Sequence, residues 1–460
     1  MKLAVIGGGG VRSPFLAKTV VTQARDIGIT QVVFQDCDPE KLRIFGGLSA
    51  QLAHRIDDGI DFILTESLEA ALADADFIIT TIRVGGDAGR ARDERIALKY
   101  GLLGQETTGA GGFSMALRSV PVIAGICETA RRLAKPGVLL FNFTNPSGIV
   151  TQAMRDAGYD FVYGICDAPS GFIRQLRRLL GVPAEQLSLQ CFGLNHLSWF
   201  RRIEVDGRDI TAALLENPAL YQETEMKLFD RQAIRLMEDC LPNEYLYFYL
   251  YRERAVEAIL TGGQTRGESV LAVNRRMLEA LRPLDMARDF PQAFGIYMEG
   301  FARRENTYMA IESGRERAIP FRQISAEEML AMPDEGGYAG VAMDFIRALA
   351  GRGETEMVLS VPNEGVMPEL APTDIVEVMC RIAEGTVTPV PVGPVPEPLL
   401  NLIRTVKSYE RLTVRAIGTR RREDAVRALM FHPLVNSLTL ASALTEDYLR
   451  AFGSEVGEWE

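Results

Sequence analysis

Short apolar runs alternate with helix-like segments through the first third of the chain. The runs lie at residues 2–7, 30–36, 76–82, 137–143 and 160–166. Between them, segments such as 40–56 and 118–134 carry apolar residues at helical spacing. Continuous apolar runs are typical of parallel strands that helices cover on both faces. The pattern therefore predicts an α/β fold with a doubly wound parallel sheet.

The pattern changes after about residue 185. In chain order, the expected elements are antiparallel strands over 189–210, helices over 211–285 with a tyrosine-rich interruption, a Pro-rich loop over 387–398 and helices over 399–452. Asp206-Gly207 is the hairpin signal within the strands. These features indicate a second, α+β domain. We place the boundary so that the two domains span 1–168 and 169–460.

Composition narrows the range of functions. At 460 residues the chain is too long for one compact core, which supports two domains. A net charge of −11 argues against a nucleic-acid-binding face, because neutralising phosphates needs a basic surface. The apolar start is too short for a signal peptide, and no run approaches the length of a membrane span. Six cysteines without paired spacing favour reduced thiols and a cytoplasmic protein.

A glycine-rich loop follows the first predicted strand and opens a helix. It contains Gly7, Gly9, Gly10, Val11 and Arg12. Such a loop, typical of the Rossmann fold, lets a pyrophosphate approach the backbone at the helix N-terminus. Arg12 replaces the third glycine of the usual motif, so a tight turn without a ligand is the alternative. Asp36 ends the second strand, where an acid binds ribose hydroxyls and favours NAD over NADP.

Charged and amide side chains follow two further strands. Residues 82–113 combine Arg83, Arg90 and Arg92 with many glycines, and arginines bind phosphate through planar, charge-assisted hydrogen bonds. A solvated surface loop is the alternative, but the glycines of "GQETTGAGG" favour close approach of the backbone to a ligand. Asn145 lies in "NFTNPSG", which is as compatible with a plain turn as with a ligand contact.

Several longer motifs are specific enough to suggest a family. They are "IRVGG", "LKYGLLGQETTGAGGF", "NFTNPSGIVTQAM", "GICDAP", "GLNHLSW", "PNEYL", "TRGESV", "VPNEG" and "HPLVNS". They occur in the order seen in glycoside hydrolase family 4, whose enzymes lie outside the two-carboxylate glycosidase scheme. From Lys2 to about Ser437, the sequence resembles the family's 6-phospho-α-glucosidases and 6-phospho-β-glucosidases.

The resemblance implies a reaction by oxidation and elimination. In that family, NAD+ takes a hydride from C3 of the sugar, a tyrosine removes the acidified C2 proton, and the aglycone leaves. Water then adds and C3 is reduced again, so the cofactor is regenerated in every turnover. A divalent metal, usually Mn2+, polarises the C2 and C3 oxygens. NAD+ and Mn2+, or another divalent metal, are therefore the expected cofactors, and a phosphorylated sugar is the expected substrate.

The same resemblance assigns the metal and the base. Cys166 and His196 match the family's protein metal ligands, and a thiolate with an imidazole suits borderline divalent ions while leaving positions for substrate oxygens. Taken singly, each would more commonly be an inert core residue. Tyr245 matches the base that takes the C2 proton. Its stretch, "PNEYLYFYLY", reads either as a strand with its tyrosines on one face or as a helix pairing Tyr245 with Phe248.

Asp167 carries the expectation about the anomer. The family's β-enzymes generally have asparagine at this position, whereas its α-enzymes have aspartate as proton donor to the leaving oxygen. We therefore favour a 6-phospho-α-glucoside. The competing interpretation makes Asp167 the N-cap of a helix that contains Pro169, where a capping carboxylate is stabilised as the anion.

The remaining assignments concern substrate and cofactor contacts. Arg90 and Arg266 match substrate-binding arginines, which we assign to the 6-phosphate, and Asn145 matches a contact to a sugar hydroxyl. We add Arg83 and Asn145 to the cofactor site. The segment 297–314 departs from typical β-enzymes. Family members are commonly dimers or tetramers, so a homodimer or homotetramer is expected.

Four alternatives stay open, one of which is a non-catalytic NAD sensor, for which Tyr245, Cys166 and His196 would serve no purpose. Two lie within the family: a 6-phospho-β-glucosidase, or a hydrolase of unphosphorylated glycosides or uronides. From another class comes an NAD-dependent 2-hydroxy-acid dehydrogenase, which would need a histidine–aspartate proton relay. His54 on an early helix and His432 near the C-terminus offer no evident candidate for it.

Overall fold

The computed structural model describes residues 1–316, 320–333, 337–383 and 385–460. The strands are β1 (Lys2–Ile6), β2 (Gln31–Gln35), β3 (Asp61–Thr65), β4 (Phe77–Thr80), β5 (Leu139–Asn142), β6 (Val162–Gly164), β7 (Leu187–Leu194), β8 (Leu197–Val205), β9 (Arg208–Asp209), β10 (Leu241–Pro242), β11 (Thr355–Pro362), β12 (Ile375–Ala383) and β13 (Thr386–Pro389).

The α-helices are α1 (Ser13–Ile27), α2 (Pro39–Lys41), α3 (Gly47–Ile56), α4 (Leu68–Leu72), α5 (Gly86–Leu98), α6 (Ala110–Leu133), α7 (Ser147–Asp156), α8 (Asp167–Leu180), α9 (Thr211–Glu216), α10 (Leu220–Glu223), α11 (Arg231–Leu236), α12 (Tyr247–Leu250), α13 (Arg252–Gly262), α14 (Arg266–Leu281), α15 (Phe290–Asn306), α16 (Ala310–Ser313), α17 (Ala326–Ala331), α18 (Gly337–Leu349), α19 (Glu397–Thr419), α20 (Arg422–Met430), α21 (Leu438–Ala451) and α22 (Gly453–Val456). A π-helical turn spans Leu42–Gly46, and 3-10 turns span Ala184–Gln186, Glu225–Leu228 and Glu244–Leu246.

Six parallel strands form the predicted sheet, in the order β3-β2-β1-β4-β5-β6. This is the Rossmann strand order, which confirms the predicted doubly wound fold. The five predicted apolar runs contain β1, β2, β4, β5 and β6. The sequence pattern missed β3 because this edge strand is largely half-exposed or exposed and shows no continuous apolar run.

Three antiparallel strands from the second half of the chain extend this sheet beyond β6. Ser360 on β11 pairs with Gly164 on β6, and β12 and β13 follow outward. The expected Pro-rich loop at 387–398 is therefore partly wrong, since β13 covers its start; Pro389 lies at the sheet edge, where a missing N–H is tolerated. The division of the chain at residue 168 stays a prediction, because one sheet uses strands from both sides of it.

A second sheet, β10-β8-β7 with β9 paired to β8, contains the predicted hairpin. Asp206 and Gly207 adopt φ values of 50° and 73° in the turn between β8 and β9, as the Asp-Gly signal predicted. Leu194 on β7 pairs with Leu197 on β8, so only two residues connect these strands. That turn brings His196 to the tip of the hairpin.

Helix α6 is the one helix among the described residues that is long and apolar enough to span a membrane. The sequence pattern predicts no membrane-spanning run here. Within the fold, 78% of the residues in its most apolar 18-residue window are buried, because α6 packs against α4, α5, α7 and α19.

Candidate functional site

The carboxyl ends of the central parallel strands open onto one cleft of about 1870 Å³. Rossmann sheets bind ligands at this edge. With the exception of Arg92, the residues to which the sequence assigned a role line this cleft: Gly7, Gly9, Gly10, Val11, Arg12, Asp36, Arg83, Arg90, Asn145, Cys166, Asp167, His196, Tyr245 and Arg266. The chain fold thus brings together residues that are up to 259 positions apart, from Gly7 to Arg266.

The glycine loop lies directly on the strand ends. Gly7 has a φ of 101°, and a Cβ there would lie 2.5 Å from the carbonyl oxygen of Thr81. A Cβ on Gly9 would lie 2.8 Å from Asp36 Oδ2, the atom to which the Gly9 N–H donates at 2.9 Å. Because side chains are excluded, the backbone is open to a ligand beside the Asp36 carboxylate. This geometry fits a dinucleotide.

Cys166 and His196 meet where β6 ends and the β7–β8 hairpin turns. Cys166 Sγ lies 3.4 Å from His196 Nε2, which suits two donors that share an ion at about 2.3 Å from sulfur and about 2.1 Å from nitrogen. Burial lowers the pKa of His196 to about 4, so the ring is neutral. Burial also raises the pKa of the Cys166 thiol well above its usual value, so an ion would have to displace its proton.

The tautomer of His196 is set by Thr107. The Thr107 hydroxyl donates to Gln105 Oε1 at 2.8 Å and lies 2.6 Å from His196 Nδ1. Since that hydroxyl has only one proton, Nδ1–H donates to Thr107 and the Nε2 lone pair faces Cys166. Within the described ranges, no group of three or more His, Cys, Asp or Glu side chains could hold a metal. Further ligands to an ion at this pair must come from the substrate or water.

Glu377, on β12, holds the turn of the β7–β8 hairpin in place. Its carboxylate accepts hydrogen bonds from Asn195 Nδ2 at 3.0 Å and from Ser198 Oγ at 2.9 Å, on either side of His196. Burial raises the pKa of Glu377 to about 7. Sequence reasoning gave this residue no role, because its partners lie about 180 residues earlier in the chain.

Tyr245 lies against the metal-type pair. Its ring stacks on that of His196 with centroids 3.6 Å apart and planes 9° apart. Its hydroxyl bonds that of Tyr308 at 2.7 Å, and Tyr308 in turn reaches Glu244 Oε1 at 2.8 Å. Burial, together with Glu244 and Glu106, raises the pKa of Tyr245 well above 10. The stretch is helical, so the strand alternative is wrong.

Asp167 is the first residue of α8 and not its N-cap, so the capping interpretation is wrong. The N-cap is Cys166, whose side chain makes no capping bond. The Asp167 carboxylate instead accepts a hydrogen bond from Arg12 Nη1 at 2.9 Å, and Arg12 Nη2 lies 3.4 Å from Glu305. Arg12 therefore connects the glycine loop with Asp167.

Arg83 and Arg90 converge on Glu106, a residue that sequence reasoning missed. Arg90 contacts Glu106 at 3.0 Å and Glu94 at 2.8 Å, and Arg83 forms a second ion pair with Glu106. Burial raises the pKa of Glu106, but Arg83 and Arg90 outweigh it and hold the value well below its usual range. Glu106 lies in "GQETTG", a motif in which the sequence assigned a role only to the glycines.

Two expectations about this loop are wrong. Arg92 does not reach the cleft; it donates to the carbonyl oxygen of Ala451 at 2.7 Å, and its guanidinium lies over Phe452. The glycines of the loop pack on protein backbone and not on a ligand site, since a Cβ on Gly111 would lie 2.3 Å from the carbonyl oxygen of Gly104.

Arg266 begins α14, where Thr265 and Glu268 form a capping box. Its guanidinium donates to Thr307 Oγ1 at 2.5 Å and to the carbonyl oxygen of Arg304 at 2.7 Å. Burial lowers the pKa of Arg266, and Arg90 acts in the same direction. Asn145 also lines the cleft, and its side-chain amide has no hydrogen bond to the part of the chain that the structure describes.

Two protein-family models cover most of the chain. The model described as "Family 4 glycosyl hydrolase" matches residues 2–182, and that of the "Family 4 glycosyl hydrolase C-terminal domain" matches residues 191–435. The chain is 31% identical over 456 residues to a 6-phospho-beta-glucosidase of Thermotoga maritima, covering 98% of each. It is 28% identical over 467 residues to a 6-phospho-alpha-glucosidase of Leptotrichia buccalis, covering 98% of this chain and 97% of that one.

A solved structure of one of these relatives is also similar to this chain. The Thermotoga maritima 6-phospho-beta-glucosidase with manganese, NAD+ and glucose-6-phosphate superposes with a TM-score of 0.81 at 29% identity, and the match covers 99% of both chains.

Proposed function

Because the chain belongs to family 4 of the glycosyl hydrolases, we propose that it cleaves 6-phosphoglucosides with NAD+ and a divalent metal ion such as Mn2+. The arrangement of Cys166, His196 and Tyr245 beside the glycine loop carries this proposal. A metal-type donor pair, a tyrosine and a dinucleotide cradle share one cleft. The relatives with bound manganese, NAD+ and glucose-6-phosphate support it.

When bound, NAD+ accepts and returns a hydride at C3, and the metal ion polarises the adjacent sugar oxygens. Cys166 and His196 hold the metal ion, and the glycine loop with Asp36 binds the dinucleotide. Tyr245 takes the C2 proton, since this residue lines the cleft while its ring stacks on His196. The Tyr308 hydroxyl orients the Tyr245 hydroxyl. Elimination, hydration and re-reduction complete the turnover.

Asp167 donates the proton to the leaving oxygen in this proposal, which favours the 6-phospho-α-glucoside. Arg90 and Arg266 contribute to phosphate binding, Asn145 contacts a sugar hydroxyl, and Arg83 and Asn145 border the cofactor. A 6-phospho-β-glucosidase is the second candidate, because a relative of that activity shares 31% identity with this chain.

The test offers 4-nitrophenyl α- and β-glucoside 6-phosphates to the protein with NAD+, Mn2+ and reductant. Release from the α-anomer supports the proposal, and release from the β-anomer alone supports the second candidate. Product formed in D2O should carry deuterium at C2, which elimination requires and direct displacement does not. Release from neither anomer, or product without deuterium, contradicts the proposal.

The dehydrogenase alternative lacks its histidine. Of the three histidines, only His196 lines the cleft. His54 is exposed on α3, and His432 is buried against Tyr409 at a ring distance of 4.4 Å. A 2-hydroxy-acid dehydrogenase would accumulate NADH with substrate, whereas the proposed enzyme would not.

Cytoplasmic location and a homodimer or homotetramer complete the proposal. All six cysteines are free, in keeping with reduced thiols. Sedimentation of the purified protein at several concentrations tests the oligomer.

A further inference from the structure

His196, one of the two metal-type donors, has a backbone conformation that needs support from its neighbours. Its φ of 62° lies in the left-handed region, which turns normally give to glycine or asparagine. Such strain persists only where surrounding contacts fix the backbone. Asn195, just before His196, and Ser198, two positions after it, both hydrogen-bond the side chain of Glu377 on β12. One carboxylate therefore holds the strained turn on both sides.

Glu377 is a carboxylate inside an otherwise apolar stretch of strand. The residues of β12 from Ile375 to Met379 are buried, and Glu377 itself is 2% exposed. Asn195 Nδ2 lies 3.0 Å from its Oε2 and Ser198 Oγ lies 2.9 Å from its Oε1, so both oxygens accept hydrogen bonds. Within the described ranges of the chain, Glu377 has no cationic partner. A buried carboxylate that is not paired with a cation is costly, so its retention indicates a role beyond packing.

Asn195 connects this carboxylate with Cys166, the other metal-type donor. An asparagine amide has two N–H donors, and Glu377 accepts from its nitrogen. Burial, Glu377 and Asp167 raise the pKa of the Cys166 thiol, whereas a hydrogen bond from the Asn195 side chain opposes that rise. Because a carboxylate only accepts, Glu377 fixes which end of the amide carries the donors. It thereby selects the orientation in which an Asn195 N–H can serve the sulfur.

The second oxygen of Glu377 is held by the strand that leads towards Tyr245. Ser198 donates to this oxygen through Oγ, and the Ser198 carbonyl oxygen accepts from the Asn243 N–H at 2.8 Å. Asn243 Oδ1 in turn accepts from the Tyr245 N–H at 3.0 Å. The carboxylate cannot rotate without losing its contact to Ser198. Its two hydrogen bonds therefore fix its orientation towards Asn195.

Asn195 acts from the protein side of the metal pair and not from the substrate side. It lines a small second cavity of about 20 Å³, together with His196, Tyr409 and Glu410. A cavity of that size has room for about one water molecule and none for a sugar. The geometry thus gives Asn195 and Glu377 a part in orienting the donors.

We propose that Glu377 is a positioning residue for the metal pair, because it fixes the His196 turn on both sides and, through Asn195, directs an N–H at the Cys166 sulfur. Residues that orient metal ligands in this way contribute about 10- to 100-fold to metal affinity. A hydrogen bond to the sulfur also stabilises the thiolate that the ion requires. This inference rests on the proposed function, which assigns Cys166 and His196 to the metal ion.

Asn195→Ala tests the connection between Glu377 and the sulfur. In protein loaded with NAD+, we expect the Mn2+ affinity, measured by calorimetric titration, to fall about 10- to 100-fold while the NAD+ affinity stays unchanged. The control is Asn363→Ala, because the side chain of this buried asparagine makes four hydrogen bonds in the loop between β11 and β12. Asn363→Ala should lower the Tm and leave the Mn2+ affinity unchanged.

Glu377→Gln tests the orientation of the amide. The change replaces one accepting oxygen by an NH2 group, so the side chain can no longer accept from both Asn195 and Ser198. We expect the Mn2+ affinity to fall about tenfold. In the Asn195→Ala background the same change should cause no further loss. The NH2 group can then face the vacated side while the remaining oxygen still accepts from Ser198.

Co2+ in place of Mn2+ gives a signal that a general loss of structure would not produce. A thiolate bound to Co2+ has a sulfur-to-metal charge-transfer band in the near ultraviolet. The wild type should show this band, and Asn195→Ala should shift it to longer wavelength, because a sulfur without its hydrogen bond is a better electron donor. Asn363→Ala should show the wild-type band.

Four results overturn the inference. They are an unchanged Mn2+ affinity in Asn195→Ala, additive losses for Glu377→Gln and Asn195→Ala, a charge-transfer band at the wild-type position in Asn195→Ala, and an equal loss of Mn2+ affinity in Asn363→Ala. The last would mean that any weakening of the fold loosens the ion, which is a structural effect and not positioning.

The wild type distinguishes this inference from the proposed function. If it binds no Mn2+ and shows no charge-transfer band with Co2+, the assignment of the metal pair fails and the inference fails with it. If it gives both signals and the Asn195 and Glu377 variants match it, only the positioning role of Glu377 fails.

Discussion

At the glycine-loop end of the cleft, formed by residues 7–12 and Asp36, the chain presents backbone to a ligand and excludes side chains by direct contact. At the adjoining metal-pair end, formed by Cys166, Asp167, His196 and Tyr245, it presents side chains held by other side chains, and Arg12 joins the two ends through Asp167. The first end is built from residues close in sequence. The second is assembled from distant segments, so single substitutions there should remove one chemical step and leave cofactor binding intact.

Tyr245→Phe should affect the metal-pair end most strongly and leave the glycine-loop end unchanged. We expect kcat to fall about 1000-fold, as for loss of a general base, while the affinity for NAD+ stays unchanged. The ring stack on His196 is kept, so the fold should be retained. Steady-state kinetics and deuterium incorporation at C2 measure the effect. Tyr247→Phe, which removes only a hydroxyl bonded to the Glu312 carbonyl oxygen, is the control. A similar loss in both variants would contradict the role of Tyr245.

Cys166→Ser should remove the metal and not the dinucleotide. Loss of residues that merely orient metal ligands costs about 10- to 100-fold, so loss of a ligand should lower activity and Mn2+ affinity by more than about 100-fold. Metal titration and NAD+ binding are the two measurements. Cys37→Ser changes an exposed thiol at the other end of the cleft and should be neutral. Unaltered Mn2+ affinity in Cys166→Ser would contradict the assignment of Cys166 as a metal ligand.

Gly9→Ala should weaken binding of the dinucleotide and leave binding of the metal unchanged. Its Cβ would press on Asp36 Oδ2, so we expect NAD+ binding to weaken about tenfold while Mn2+ affinity holds. Gly125→Ala is the control, because its Cβ would meet nothing within 4 Å on α6. Equal NAD+ affinities in the two variants would argue against a cradle at this loop.

The pH dependence of binding should also differ between the ends. His196 is already neutral because burial lowers its pKa to about 4, whereas burial raises the pKa of the Cys166 thiol well above its usual value. Metal binding therefore releases one proton, from Cys166. Mn2+ affinity should rise about tenfold per pH unit from about pH 6 to about pH 8. A rise near 100-fold per unit would mean that both ligands lose protons, contrary to the neutral state of His196.

The sequence predicted the features built from residues close in the chain better than those assembled from distant segments. The apolar runs and the glycine loop are local patterns, and they predicted the parallel strands and the loop. Edge strand β3 lacks a continuous apolar run, and β11 reaches β6 across about 200 residues, so neither joined the predicted sheet. Local patterns contain no information about such pairings.

The side chains of the site show the limit more closely. Cys166, His196 and Tyr245 were recognised through motifs, and the structure brings them into contact. Glu106 and Tyr308 were missed, since their importance comes from partners: Tyr308 lies 63 residues from Tyr245. The position of Pro169 suggested that Asp167 is the N-cap of α8. The helix instead begins at Asp167, so the N-cap is one residue earlier, at Cys166.

The joining of β11 and β12 to the Rossmann sheet has a consequence for synthesis on the ribosome. The glycine loop and Asp36 emerge within the first tenth of the chain, but the hairpin that holds His196 is anchored by Glu377, and β6 is covered by β11. A nascent chain can therefore form its dinucleotide cradle early, yet the ion-binding turn gains its anchor only after residue 377 has left the exit tunnel. The ion-binding turn is therefore among the last parts of the site to be completed during translation.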